Sequence, residues 1–550
     1  MSSISAILNT ARQSFLAEQT ALQITAHNIA NANTEGYSRQ RPMFEASPFG
    51  DGVSIQTIER LHDQFLDRQM REELGAQGRL TQMAQSLRRI ESLVDETEGQ
   101  GVGLRLQELF SAFQDLAARP SGVAERETVR AKANVLASAL NDNHRRLVGV
   151  QSDADRQIGE MVATINTLGE QIAQLNRQAQ SGAGLLDETS ANQIQDQRNM
   201  LVEKLSSLIQ TETFEDGRGG LTVMVAGGLV LVQSDTANRL EVVPGDSNGE
   251  LEIDYVFADG VRQRITDRLR TGELGGILEI RDHVVPDLRK RLDQFTAALI
   301  HEINQIHRSG VDLTGAAGGD FFDGLSVYTA AQAGNSGGAA VTASSIVDPD
   351  QLTLKEYEIR FTDPSTYDVV NVTDGTVVSS GNAYVSGTPI VFDGISVEIS
   401  DVGGSPAAGD VFAVNTFSWA SAGISVAGSI VNSIEAIAAG LSAEAGDNRN
   451  ALELAALGSS LVAPGGRSTL GEYYSSILTD LGIQVNQVSA GEDRQNMLVD
   501  QTRNLILNLS GVSIDEESAN LIRFQRAFDA SARVISLVDE MYQTILDILP

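Results

Sequence analysis

Apolar positions recur every seven residues at both ends of this chain. Near the start, Leu8, Phe15, Leu22 and Ile29 form one series, with Ile4 and Ala11 between. Near the finish, Leu521, Phe528, Ile535, Tyr542 and Leu549 form one series, and Phe524, Ser531, Val538 and Ile545 form a second. Two series offset by three residues describe one a/d-type stripe. It predicts a helix from Asp515 to Leu549, roughly 50 Å long at 1.5 Å per residue. Ser513 followed by Glu516 reads as a capping box at its start. The stripe is this helix's one apolar face, and each large side chain buried along it contributes about 1.5–3 kcal/mol. The seam therefore needs a partner helix, and the N-terminal stripe is the candidate.

Between the ends the pattern changes several times. Ile158, Met161, Ile165, Leu168, Ile172 and Leu175 carry a heptad that Gly182 and Gly184 interrupt. Ile194, Leu201, Leu205 and Leu208 resume it, which predicts a long helical hairpin. LTVMVAGGLVLV (221–232) alternates about Gly227-Gly228, a β-hairpin signal. Helical spacing returns from about Val284 to His307 and again from about 424 to 509. Residues from about 320 to 420 are rich in Gly, Ser, Thr and Val, with short alternating runs that predict strands. The expected fold is mainly α with a β-rich insertion (α+β), nested and elongated. A terminal coiled-coil domain would comprise 1–50 plus 505–550. A central helical domain would comprise 51–320 plus 420–504, with a β-hairpin near 211–265. The outer β-rich insertion would be 321–419.

Composition narrows the function classes. Zero cysteines in 550 residues remove disulfides, cysteine-ligated metals and thiol nucleophiles. A net charge of −33 argues against nucleic acid or an anionic membrane as a main partner. The stretch 320–420 holds Lys355 and Arg360 against thirteen acidic residues, about a third of that charge. No run of about 18 apolar residues exists, so no membrane insertion is expected. MSSISAILNTARQSF lacks the features of a cleaved signal peptide. A cytoplasmic protein is the default reading, and export without a cleaved signal the other.

Candidate chemistry is sparse. His301-Glu302 begins like a His-Glu-x-x-His zinc helix, but Gln305 stands where the second histidine belongs, and His307 lies on another face. Gly99, Gly101 and Gly103 lack the later glycine of a dinucleotide fingerprint. Gly465-Gly466-Arg467-Ser468-Thr469 lacks a P-loop lysine and reads as a turn leading into a helix. GAAGGDFFDG (315–324) reads as a loop. No nucleophile elbow appears, and six histidines are a thin supply for acid–base work. No catalytic residue, metal ligand or cofactor site is assigned.

The densest signal follows the first heptads: AHNIANANTEGYSRQ (26–40). Asn31 and Asn33 tolerate a left-handed helix stop, Gly36 supplies a turn and Tyr37 packs. As a string it closely resembles the N-terminal signature of bacterial flagellar rod, hook and hook-associated proteins, and Ser38-Arg39-Gln40 is like the junction members of that family. Asp196-Gln197-Arg198, GELGGILEIRD (272–282), Asn304…His307…Gly310, GDNRNALELAAL (446–457) and the stretch 511–546 are similar to other parts of it. The 320–420 insertion carries little resemblance.

The resemblance implies a structural, non-enzymatic component of the bacterial flagellum that joins hook to filament as a tubular homo-oligomer at the hook tip. Its implied partners are the hook protein on one side, a second junction protein and the filament on the other, a C-terminal export chaperone and the flagellar type III export apparatus. The implied location is extracellular. Leu8, Phe15, Leu22 and Ile29 are then expected to meet Leu521, Phe524, Phe528, Ile535, Val538, Tyr542 and Leu549, in the same chain or an adjacent copy. Asn28, Asn31, Asn33, Thr34, Gly36 and Tyr37 are expected to shape the bend behind the first helix. The rivals are another flagellar axial protein, of hook or distal-rod type, and a secreted enzyme carried by the insertion. The long helical hairpin disfavours the first; the lack of any histidine in 320–420 disfavours the second.

Overall fold

The computed structural model describes residues 2–46, 52–94, 101–181, 188–216, 219–245, 250–444 and 446–548. Helix α1 (Ser2–Ala30) ends in a turn that leads to an antiparallel hairpin, β1 (Gln40–Ala46) with β2 (Val53–Arg60). Helices α2 (Gln64–Val94), α3 (Val102–Ala118), α4 (Val123–Ser181) and α5 (Glu188–Leu208) follow. The 59 residues of α4 make it the spine of the molecule, roughly 90 Å long.

Two separate cores are strung along that spine. Val129, Leu136, Leu140 and Leu147 face the larger, with Leu109, Phe113 and Leu116 of α3. Ile158, Val162, Ile165 and Ile172 face the second, beneath one four-stranded and one three-stranded antiparallel sheet from residues 211–264. Gly227 and Gly228 turn between two of those strands, with φ of +70° and +121°. Helix α6 (Gly272–Glu279) passes through one π turn (Ile280–Val284) into α7 (Val285–Ser309). The buried Phe295, Leu299, Ile300 and Ile303 make α7 the centre of the larger core.

Residues 328–415 form a β-sandwich. Its five-stranded sheet runs Tyr328–Ala331, Val411–Asn415, Tyr357–Asp363, Thr366–Asn371, Thr376–Ala383, and its three-stranded sheet runs Ala340–Ile346, Ile395–Ser400, Pro389–Phe392. Tyr357, Ile359, Phe361, Val397, Ile399 and Phe412 give this unit its own core. The chain then returns to the bundle through α8 (Ala420–Gly423), α9 (Gly428–Asn432) and α10 (Arg449–Ala456). Helix α11 (Leu470–Ser510) starts with a complete capping box of Thr469 and Glu472, just after the Gly465-Gly466 turn. It packs antiparallel along α2, and α12 (Ile514–Ile548) closes the chain against α1. The mainly α, α+β class with a β-rich insertion is the observed one.

One local expectation is corrected. Ser513 accepts a 3.4 Å bond from the Glu516 amide, but the Glu516 carboxylate does not return to close a capping box. It pairs with Arg39 at 2.8 Å instead, because an arginine across the joint offers a charged partner.

Candidate assembly seam and joint

Three contacts set α1 against α12 in antiparallel register. Ser5 Oγ lies 2.8 Å from the Tyr542 hydroxyl, the rings of Phe15 and Phe528 are 4.3 Å apart, and Asn28 Nδ2 donates to Glu517 Oε2 at 3.1 Å. The seam is incompletely covered. Leu8, Phe15, Leu22, Ile29, Leu521, Phe528, Ile535 and Tyr542 are all half-buried, whereas Phe524 and Val538 are buried. Leu549 lies outside the described residues. Further large apolar side chains face solvent: Leu16 is 50% exposed, Ile522 51% and Leu537 58%.

The deepest face of α1 is not its heptad stripe. Ala17, Ala21, Ile24 and Asn28 are buried, and the β1–β2 hairpin lies along the helix. The hairpin also reaches α12, with Phe44 6.0 Å from Phe524 and the Arg523 guanidinium 4.7 Å over that ring. Small apolar residues at 17, 21 and 24 have helical spacing, the signal available for this face.

Behind the seam, Asn28 uses every hydrogen-bonding position of its amide. Its Oδ1 accepts from the Tyr37 hydroxyl at 2.7 Å and the Gln40 amide at 3.0 Å; its Nδ2 donates to the Gln40 carbonyl at 2.8 Å and to Glu517. The Tyr37 hydroxyl also lies 3.0 Å from His27 Nδ1, and burial, with Asp196 and Glu517 nearby, raises its pKa. Asn31 bonds back to the His27 carbonyl at 3.0 Å and accepts from Thr34 Oγ1 at 3.2 Å. Asn33 sits exposed in the turn. Gly36 has φ +75°, and a Cβ there would lie 2.3 Å from the Met200 side chain, so conformation and space both demand glycine.

The joint recruits residues that periodicity did not nominate. Arg39 grips both Glu516 and the buried Glu517, at 2.8 and 2.7 Å, while its amide donates to the Ser510 carbonyl. The Ser38 amide donates to Asp196 at 3.1 Å, and Asp196 pairs with the buried Arg60 at 3.2 Å. Burial still holds the Asp196 carboxyl above its ordinary value, against the pull of Arg60. Two residues on, the wholly buried Arg198 donates to Asn176 and the Gly219 carbonyl, tying α5 to α4 and the sheet. A cavity of about 710 Å³ lies behind the motif loop, between α2, α5 and α11, with Asp67, Glu203 and Arg503 in its lining. Burial raises the pKa of both Asp67 and Glu203, and the nearby Asp67 carboxylate pushes Glu203 further in the same direction. Glu517 had a signal: it lies seven residues before Phe524 on the seam series, a charge at a core position.

Among the described residues, no group of three or more His, Asp and Glu is placed to hold a metal ion. His307 is buried between backbone groups, Nδ1 2.6 Å from the Gly319 carbonyl and Nε2 accepting from the Ala438 amide at 2.9 Å. Those two bonds require the neutral ring, whose pKa burial lowers. His301 is lowered by burial and by Arg308. No helix among the described residues is long and apolar enough to cross a membrane.

Comparison with known proteins places this arrangement. Family models match at residues 8–37 (flagella basal body rod protein), 87–322 (flagellar hook-associated protein FlgK helical domain), 330–416 (flagellar hook-associated protein 1, D2-like domain) and 506–548 (flagellar basal body rod FlgEFG protein C-terminal). The chain is 28% identical to the flagellar hook-associated protein 1 of Escherichia coli strain K12, over 99% of this chain and 100% of that protein. It is 27% identical to its namesake in Bacillus subtilis strain 168, over 98% and 97% respectively. The solved structure of the flagellar hook junction protein FlgK from Burkholderia pseudomallei shares the fold, with a TM-score of 0.67 at 21% identity, over 80% of this chain and 99% of that one. The chain belongs to the flagellar hook-associated protein 1 (FlgK) family, structural components of the bacterial flagellum.

Proposed function

We propose that this protein joins the flagellar hook to the filament by assembling with copies of itself into a tubular layer at the hook tip. The observation that carries the reading is the unfinished seam: α1 and α12 pair in register, yet most of their large apolar side chains stay half-buried. Neighbouring copies would cover what remains open of Phe15, Phe528, Ile535 and their equivalents, each contributing about 0.5–1 kcal/mol of further burial. The joint around Asn28, Asn31, Thr34, Gly36 and Tyr37 then sets the angle at which each subunit leaves the tube. In this reading 1–50 plus 505–550 form the tube-lining unit, and 321–419 the outermost one. Hook protein contacts one side, and a second junction protein and the filament the other. Export proceeds through the flagellar type III apparatus, with a chaperone shielding the C-terminal stripe.

Phe528→Asp tests the seam. Secretion and the bundle fold should persist, while incorporation at hook tips, scored by labelling on intact cells, is abolished. Filaments of normal length on such cells would contradict the proposal.

A further inference from the structure

We propose that the outer β-sandwich is held against α7 by a two-pair ionic latch, and that opening the latch lets the sandwich swing on the two chain crossings that connect it to the bundle. The sandwich has its own core, separate from that of the bundle, and the partly buried Leu325 touches both. Two crossings join them, and each carries a left-handed residue: Gly324 at φ +126° and Trp419 at φ +69°. Gly324 lies against Gly423, where a Cβ would come within 3.0 Å of backbone, which pins the crossings to each other. A tryptophan at positive φ is strained, and Asp293 holds it there by accepting from the Trp419 amide at 3.1 Å.

The surfaces beside this pivot do not close. A cleft of about 630 Å³, lined by Trp419, Arg289, Lys290, Tyr328, Glu356 and Gln151 among others, separates the sandwich from α4 and α7. The Trp419 ring stays half-exposed in it, 4.9 Å from the Arg289 guanidinium. Across the gap, Lys290 pairs with Glu356 at 2.8 Å, and Arg308, which also holds Asp320, pairs with Asp350 at 2.7 Å. Both bridges join α7 to the 348–356 arm of the sandwich, where Leu354 adds one partly buried apolar contact. Asp350 is largely exposed, as are Lys290 and Glu356 in part. Exposed pairs of this kind shift an equilibrium by only about two- to fivefold each, so the closed state is favoured modestly.

The sequence makes the test clean, because the chain has no cysteine and one tryptophan. Cysteines replacing the exposed Val123 and Val402 take spin labels on the bundle and the sandwich. In the full chain, the distance distribution between them should be narrow at about 0.1 M salt and broaden at about 1 M, where the screening length falls from ~10 to ~3 Å. Lys290→Glu with Arg308→Glu should raise the open population roughly tenfold at low salt. Adding Glu356→Lys and Asp350→Lys to that variant should restore the narrow distribution. Trp419 fluorescence should follow the same changes. A distribution that stays narrow both at high salt and in the double variant would overturn the latch. Broadening in the double variant without rescue by the charge reversal would also overturn it, by pointing to local damage instead of pairing.

Discussion

The bundle around α7 and the seam between α1 and α12 are built from the same kinds of residue and reach different ends. In the bundle, Leu109, Phe113, Leu116, Leu136, Leu140, Phe295 and Ile303 are fully buried because each helix has neighbours on several sides. In the seam, a heptad stripe of equal quality meets one helix and one hairpin, and among the described residues only Phe524 and Val538 of those expected are buried. Periodicity decides where a helix forms and which side is apolar; the number of neighbours decides whether that side is dry. A stripe that its own chain leaves partly open is what the proposed completion by other copies requires.

The sharpest way to break this contrast is to cut one ring from each region. Phe295→Ala should cost the bundle about 3–5 kcal/mol, since it opens a cavity in a packed core. Phe528→Ala should cost the free chain less, about 1–2 kcal/mol, because its ring packs on Phe15 but is only partly covered. Urea unfolding followed by Trp419 fluorescence reads the first, and loss of far-ultraviolet helix signal the second. Equal costs would erase the distinction.

The joint sits between these extremes, being small but fully hydrogen-bonded. Asn28→Ala would strand the Gln40 backbone and one side of Glu517 and leave the Tyr37 hydroxyl with His27 alone, and should cost about 2–3 kcal/mol locally. Hydrogen exchange at the Gln40 amide should speed up accordingly, while that of Leu136 and Leu299 should not change.

How far the sequence foretells this arrangement differs by region. The helical ends and the β-rich insertion are legible because 3.6- and 2-residue periods are local. The motif residues are legible as types, since asparagine and glycine belong at helix stops. Their partners are not: Asn28 meets Glu517 across 489 residues, and Ser38 meets Asp196 across 158, and no local pattern links them. The β1–β2 hairpin also escaped periodicity, because most of its side chains are exposed and its alternation is weak. Ala17 and Ala21 escaped because alanine marks a close approach, not a conspicuous stripe.

A smaller effect separates bundle and joint by pH. In the bundle, burial lowers the pKa of His301 and His307, so the unfolded chain takes up protons first as pH falls below the ordinary value of 6.5. The stability they contribute is present above that value and lost below it, by at most about 1.4 kcal/mol per histidine per pH unit. In the joint the sign reverses. Asp67, Asp196 and Glu203 have raised pKa values, so their burial is best tolerated at low pH and grows costly as pH rises through those values. As pH falls below 6.5 the bundle should weaken, while amides of 34–40 should gain protection as pH falls through the raised carboxyl values toward the ordinary ones. Hydrogen exchange followed across that pH range, corrected for intrinsic rates, checks both signs; parallel shifts would contradict the assignment.

The central claim is that the seam is finished by other copies, and hydrogen exchange on the free and assembled protein tests it most directly. In the free chain, amides of α1 and α12 should exchange far faster than those of α7, and on assembly they should slow to comparable protection while α7 is unchanged. Seam amides as protected in the free chain as those of α7, with no change on assembly, would show that the chain completes the seam alone.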